Sequence, residues 1–144
     1  MLPGSPGWAQ RGGMTRLPLI AYAAILTACS PGLVDPIRPE AMAPGLAQER
    51  AAEHVSACSG ANVTARAVRW WLVAGIEGDG DAWAGWNPPG DVYLLRGTEA
   101  NVRISAHELL HHVLGGDPGH RDGLWLSCGL DLATLREALA GTPQ

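Results

Sequence analysis

The sequence contains no lysine and no phenylalanine, and all ten of its basic residues are arginine. Those arginines are scattered and the formal charge is −4, so no basic stripe faces a phosphate backbone and no nucleic-acid partner is expected. Long apolar runs are also missing. The most apolar stretch, residues 17–25, holds about nine to twelve apolar residues with its flanks, against the roughly 20 that a membrane-spanning helix needs. Cysteine is scarce: of three in the chain, Cys58 and Cys128 have no second cysteine two to four residues away, which excludes the paired-thiolate spacing of zinc fingers. With 144 residues, the chain has room for one domain and not for two.

What the chain does have is His107-Glu108-Leu109-Leu110-His111, followed by His120. A helix turns once in about 3.6 residues, so positions 107 and 111 lie one above the other on one face. Two imidazoles so placed reach one metal ion, with the glutamate beside them as general base toward water on that metal. The helix itself is legible. Val102, Ala106, Leu109, Leu110, Val113 and Leu114 recur at helical spacing, and Gly115-Gly116 supplies a stop. Ser105 and Glu108 have capping-box spacing, but a start there would leave His107 in a frayed first turn. The helix is therefore expected to begin after Thr98, Glu99 and Asn101.

At these residues the sequence resembles the zincin metallopeptidases. More closely, it is similar to small bacterial lipoproteins that combine an H-E-x-L-H helix, a G-x-x-x-H turn and a downstream cysteine. The matching residues are His107, Glu108, Leu110, His111, Gly116, His120 and Cys128, and the likeness spans residues 92–128. The resemblance implies a small zincin-like α+β domain: a short, twisted, mainly antiparallel sheet packed on the H-E-x-x-H helix, with one N-terminal and one C-terminal helix. It also implies a Zn2+ cofactor and hydrolysis of a peptide or protein substrate. His107 and His111 would bind zinc. For the third ligand His120 is preferred, since imidazole suits zinc and this one follows a Gly/Pro turn able to reverse the chain. Asp117, which falls where the longer metzincin pattern has its third ligand, is the alternative, ahead of Asp122 and Glu137. Candidates for a second oxyanion donor are His112, Arg121 and Tyr93. By the same likeness the strand at 91–96 would lie near the cleft, where a substrate adds as another strand.

The N-terminus carries a second resemblance. Residues 1–13 are rich in proline and glycine without apolar periodicity, and Met14 is a possible true start. Thr15-Arg16 and the apolar 17–25 then read as a secretory signal. Leu26-Thr27-Ala28-Cys29 resembles the bacterial lipobox, which implies lipidation of Cys29, a membrane anchor and a place in the cell envelope, facing the periplasm or the exterior. The organisation expected is thus extension and signal peptide over 1–28, a proline-rich tether over 29–45, and the metallopeptidase domain over 46–144. If Cys29 takes lipid, Cys58 and Cys128 remain as an even pair in an oxidising compartment and are expected to form a disulfide.

Between these landmarks the pattern predicts a helix over 46–59 with a solvated His54, and a strand over 63–75 whose Trp70 and Trp71 point to opposite faces. Residues 77–90 read as a loop: Gly78-Asp-Gly-Asp81 as a solvated turn, and Trp83 and Trp86 either as loop packing or as a wall toward substrate. A final helix is expected over 131–140.

Overall fold

The computed structural model describes residues 33–77 and 82–140. The signal segment, the lipobox with Cys29, the start of the tether and the 78–81 turn lie outside the described residues. Within them the fold is α+β, and no helix is long and apolar enough to cross a membrane.

Helix α1, Leu46–Ser59, buries Gln48, Ala51, Ala52 and Val55, the spacing of a single apolar stripe. The Gln48 side chain reaches back to accept the Gly45 N–H at 3.0 Å, and its amide nitrogen donates to Glu99 O and Ser105 Oγ. One side chain thereby caps α1 and ties it to the start of helix α2, Val102–Leu114. Helix α2 opens on Asn101, whose side chain accepts from the N–H groups of Arg103 and Ile104, as N-cap chemistry requires. Residues 104–110 of α2 are all buried, because α1, the sheet and the site each cover part of its circumference.

Strands β1 (Asp35–Ile37) and β4 (Gly75–Glu77) form a two-stranded antiparallel pair. Strands β2 (Glu40–Met42), β3 (Arg69–Val73), β5 (Ala84–Asn87) and β6 (Asp91–Leu95) form a sheet in the order β2-β3-β6-β5. Its central pair, β3 with β6, is parallel, and the outer pairings are antiparallel. Trp70 and Leu72 stand opposite Val92 and Leu94 on the core side. Trp71 faces the other way and donates its Nε1–H to Asp91, which also pairs with Arg69 at 2.6 Å.

Three expectations need correction. Part of the 29–45 tether is taken into the sheets: Asp35–Ile37 pairs with β4 and Glu40–Met42 with β3, so the domain begins well before Leu46. Of the prolines that suggested a tether, Pro36 lies within the short strand β1 and Pro39 in the link between β1 and β2. The strand expected over 63–75 starts only at Arg69, because residues 65–67 form a 3₁₀ turn whose Ala65 carbonyl receives the buried Trp70 Nε1–H. The 77–90 loop contains β5, a strand that exists through its pairing with β6.

Past α2, a short helix α3, Leu124–Ser127, and a terminal helix α4, Leu132–Ala140, complete the domain. The Cys58–Cys128 disulfide joins the end of α1 to the end of α3, across 70 residues of sequence. His54 is not merely solvated: its Nε2–H donates to the Cys128 carbonyl at 2.9 Å, reinforcing the same junction.

Candidate metal centre

Helix α2 places His107 and His111 on one face, and the chain past it brings back His120. The return uses an unusual run of backbone. Gly115 caps α2 with φ 67°, Gly116 has φ 131°, and Asp117 and His120 also lie in the left-handed region at φ 56° and 50°. Only glycine adopts the Gly116 conformation without strain, and left-handed residues bearing side chains concentrate at functional sites.

His107, His111 and His120 present nitrogen atoms that all lie within 4.8 Å of one another. His107 Nδ1 meets the Leu130 carbonyl at 2.7 Å, and His111 Nδ1 meets the Gly116 carbonyl at 2.7 Å. A carbonyl only accepts, so both Nδ1 atoms carry the proton and both Nε2 atoms turn bare lone pairs inward. His120 Nε2 is 3.0 Å from His107 Nε2. Two nitrogens held about 2.0–2.1 Å from one tetrahedral ion stand about 3.3–3.4 Å apart, so the three rings suit a shared metal after small adjustments. The backbone carbonyls are the outer partners that fix ligand tautomers in metal sites.

Burial keeps the rings in their metal-binding form. Desolvation, with the neighbouring His111 charge, lowers His107 to about 3. Desolvation lowers His111 to about 4 and shifts His120 down as well. Glu108, 5 % exposed, is pushed up to about 8 by desolvation, and its Oε2 has no hydrogen-bond partner. A buried carboxylate oxygen without a partner is costly, and a nearby cation offsets that cost.

Beneath the rings lies Trp125 of α3, 1 % exposed, its ring centroid 4.8, 4.6 and 4.4 Å from those of His107, His111 and His120. Its Nε1–H donates to Asp117 at 2.7 Å, and the same Asp117 oxygen accepts the Asp122 N–H. Those two bonds hold the Asp117 carboxyl below the usual range. Asp117 thus serves the platform, and the histidine group is completed by His120. Asp122 accepts the Leu124 N–H at the start of α3, and Glu137 is exposed on α4 outside the group.

The imidazoles and Glu108 line a groove of about 780 Å3. One wall is β5, the sheet's edge strand, with Trp83 just ahead of it and Trp86 within it. The strand expected beside the cleft, β6, is interior and contributes only Leu95. Val34 also lines the groove: its backbone N–H and C=O pair with the Asn87 amide at 2.7 and 3.0 Å, and its side chain fills the space over Gly85. A Cβ on Gly85 would collide with Val34 Cγ1. Helix α4 supplies Leu132, Leu135 and Arg136.

None of the suggested oxyanion donors lies in this groove. Tyr93 and Arg121 are outside its lining, and His112 packs against Trp86 with its buried Nδ1 unpartnered. Sequence reasoning missed Trp125 and Arg136. Leu124, Trp125 and Leu126 read in sequence only as apolar residues leading to Cys128, and nothing in their spacing set Trp125 under the rings. No protein-family model, curated protein or solved structure matches the chain.

Proposed function

We propose that the chain is a zinc-dependent peptidase of the zincin type, carried on the bacterial cell envelope by a lipid on Cys29. The observation that supports this most is the meeting, in one groove, of three imidazoles, two of them with inward lone pairs, and one buried carboxylate with an unpartnered oxygen. Zinc in such a set supplies Lewis acidity and acidifies water. The chain's own residues do the rest. His107, His111 and His120 would hold the ion, with the first two oriented by the Leu130 and Gly116 carbonyls. Glu108 takes a proton at the carboxylate oxygen that no other group occupies. Trp125 seals the rear of the rings from solvent, and edge strand β5 offers backbone groups to an extended peptide.

A non-catalytic lipoprotein with a structural metal is the alternative. Structural zinc sites are closed by a fourth protein ligand. Among the described residues the histidine group has no fourth member and borders the groove, which favours catalysis. The disulfide supports an oxidising compartment. The deciding experiment measures zinc content and hydrolysis of a mixed peptide library for the native protein and Glu108→Gln. Zinc should stay while hydrolysis falls about 10²–10⁴-fold, the usual range for losing a general base. Undiminished hydrolysis in the variant removes this mechanism. Intact mass tests the anchor: the mature chain should begin at diacylated Cys29, and a product retaining Ala28 excludes it.

A further inference from the structure

Apart from the three imidazoles and Glu108, the described residues wall the groove with apolar side chains and backbone, with one exception. Among the described residues, Arg136 is the single cationic side chain other than histidine in its lining. It stands one turn beyond Leu132 on α4, so both project to the same side of the helix, and the adjacent Leu135 is buried and fixes the helix in place. Elsewhere in the described residues Arg69 pairs with Asp91 and Arg96 with Glu40. Among the described residues the Arg136 side chain, like those of several other arginines, has no ion pair or hydrogen bond, and Glu108, the one carboxylate those residues give the groove wall, is not within pairing distance of it.

We propose that Arg136 is the specificity residue of the groove and reads a carboxylate on the bound peptide; this rests on the peptidase reading for its substrate class. A guanidinium is planar, weakly hydrated and permanently charged, and it matches a carboxylate in a two-point pair. Set in an otherwise apolar wall, it rewards a ligand that brings both apolar side chains and one negative charge. Two sources provide that chemistry: the C-terminal carboxylate of a short peptide, or an aspartate or glutamate side chain within a longer one. The groove thus favours peptides that end in, or carry, an acid flanked by apolar residues, and it discriminates against amidated neutral peptides.

The test separates binding from hydrolysis. Zinc-loaded Glu108→Gln protein is titrated calorimetrically with three probes: acetyl-Leu-Ala-Leu as the free acid, the same peptide as its amide, and acetyl-Leu-Glu-Leu as its amide. The free acid, the glutamate-containing amide, or both should bind about ten- to a hundredfold tighter than the neutral amide, the usual weight of a hydrogen-bonded charged group. Adding Arg136→Gln should erase that preference, and Arg136→Lys should restore part of it. Which acidic probe gains identifies the source of the carboxylate. Equal affinity for all three probes, or a preference that survives Arg136→Gln because the carboxylate sits on zinc, overturns the proposal. Absence of peptide hydrolysis by the native zinc-loaded protein, with an acid preference that depends on Arg136, leaves this proposal standing and removes the peptidase reading alone.

Discussion

His107 Nε2 and His120 Nε2 stand 3.0 Å apart, and the Leu130 carbonyl has already claimed the proton of His107 at Nδ1. Without a cation, the one hydrogen bond open to this pair has His120 donating its Nε2–H to the bare His107 lone pair. A neutral imidazole binds metal through its bare nitrogen, so a metal at His120 Nε2 would require that ring to carry its one proton on Nδ1 instead. Replacing His120 by alanine should leave the fold intact, since the ring is only half-buried at the groove, and should weaken zinc binding beyond the 10–100-fold typical of losing an outer partner. Competition titration with a chromogenic chelator measures this. Native affinity in His120→Ala would show that the third ligand lies elsewhere.

The buried groups set opposing pH limits on the zinc-free protein. His107 and His111 titrate at about 3 and about 4 when folded, against 6.5 unfolded. Their contribution is complete above 6.5 and fades as pH falls, because the unfolded chain then binds protons that the folded chain refuses. Glu108 acts in the other direction. Raised to about 8 from 4.5, it contributes fully below 4.5 and loses that contribution as pH rises through 8. With at least two histidines against one glutamate, the zinc-free protein should be most stable near pH 6.5 and should weaken on both sides. Urea midpoints in EDTA across pH 4–9 give the profile. The alkaline decline should vanish in Glu108→Gln and on adding zinc, whose charge favours the carboxylate. An alkaline limb unchanged by either would show that Glu108 does not cause it.

Trp125 underlies all three imidazoles and holds Asp117 through its Nε1–H. Phenylalanine at this position keeps most of the apolar contact and deletes the donor. Trp125→Phe should therefore lower zinc affinity about 10–100-fold with only moderate loss of stability. Trp125→Ala, which opens a cavity in the core, should cost about 3–5 kcal/mol in unfolding free energy. Denaturant midpoints and zinc titration on the two variants separate the roles. Identical zinc affinity in native protein and Trp125→Phe would reduce the tryptophan to a packing residue.

The parts of this fold visible in sequence are those whose local chemistry and tertiary role agree. Helix α1 was expected over 46–59 and spans Leu46–Ser59, because its alanine-rich stripe and Gly60 stop are both local signals. Helix α2 reads from its apolar spacing and its glycine pair, and the meeting of the three histidines follows from helix geometry plus one turn. The Cys58–Cys128 bridge was reached by elimination of Cys29 and is present. What sequence hid depends on partners distant in the chain. Ala84-Gly85-Trp86-Asn87 has neither β-branched residues nor clean alternation, and becomes a strand only by pairing with β6. Pro36 and Pro39 look like linker until β1 and β2 are seen at sheet edges. Arg136 gave no signal, since a basic residue on a surface helix is unremarkable until α4 docks beside the groove.

The disulfide is expected to govern the metal site as well as the fold. Cys128 lies two residues before Leu130, whose carbonyl fixes the His107 tautomer, and the bridge holds that segment against α1. Closing a 70-residue separation stabilises the domain by about 4 kcal/mol on chain-entropy grounds, a large share of the total for a small core. Reducing the bridge, or replacing both cysteines by serine, should lower the urea midpoint substantially. In whatever fraction stays folded, zinc affinity should drop about 10–100-fold as the Leu130 carbonyl loses its fixed position. The His54 bond to the Cys128 carbonyl holds the same segment, so His54→Ala should deepen the loss in the reduced protein more than in the oxidised one. Chelator competition under oxidising and reducing conditions, with and without His54→Ala, measures the coupling. Equal zinc affinity in all four states would mean that the ligand set is rigid without this junction, and that the bridge acts on stability alone.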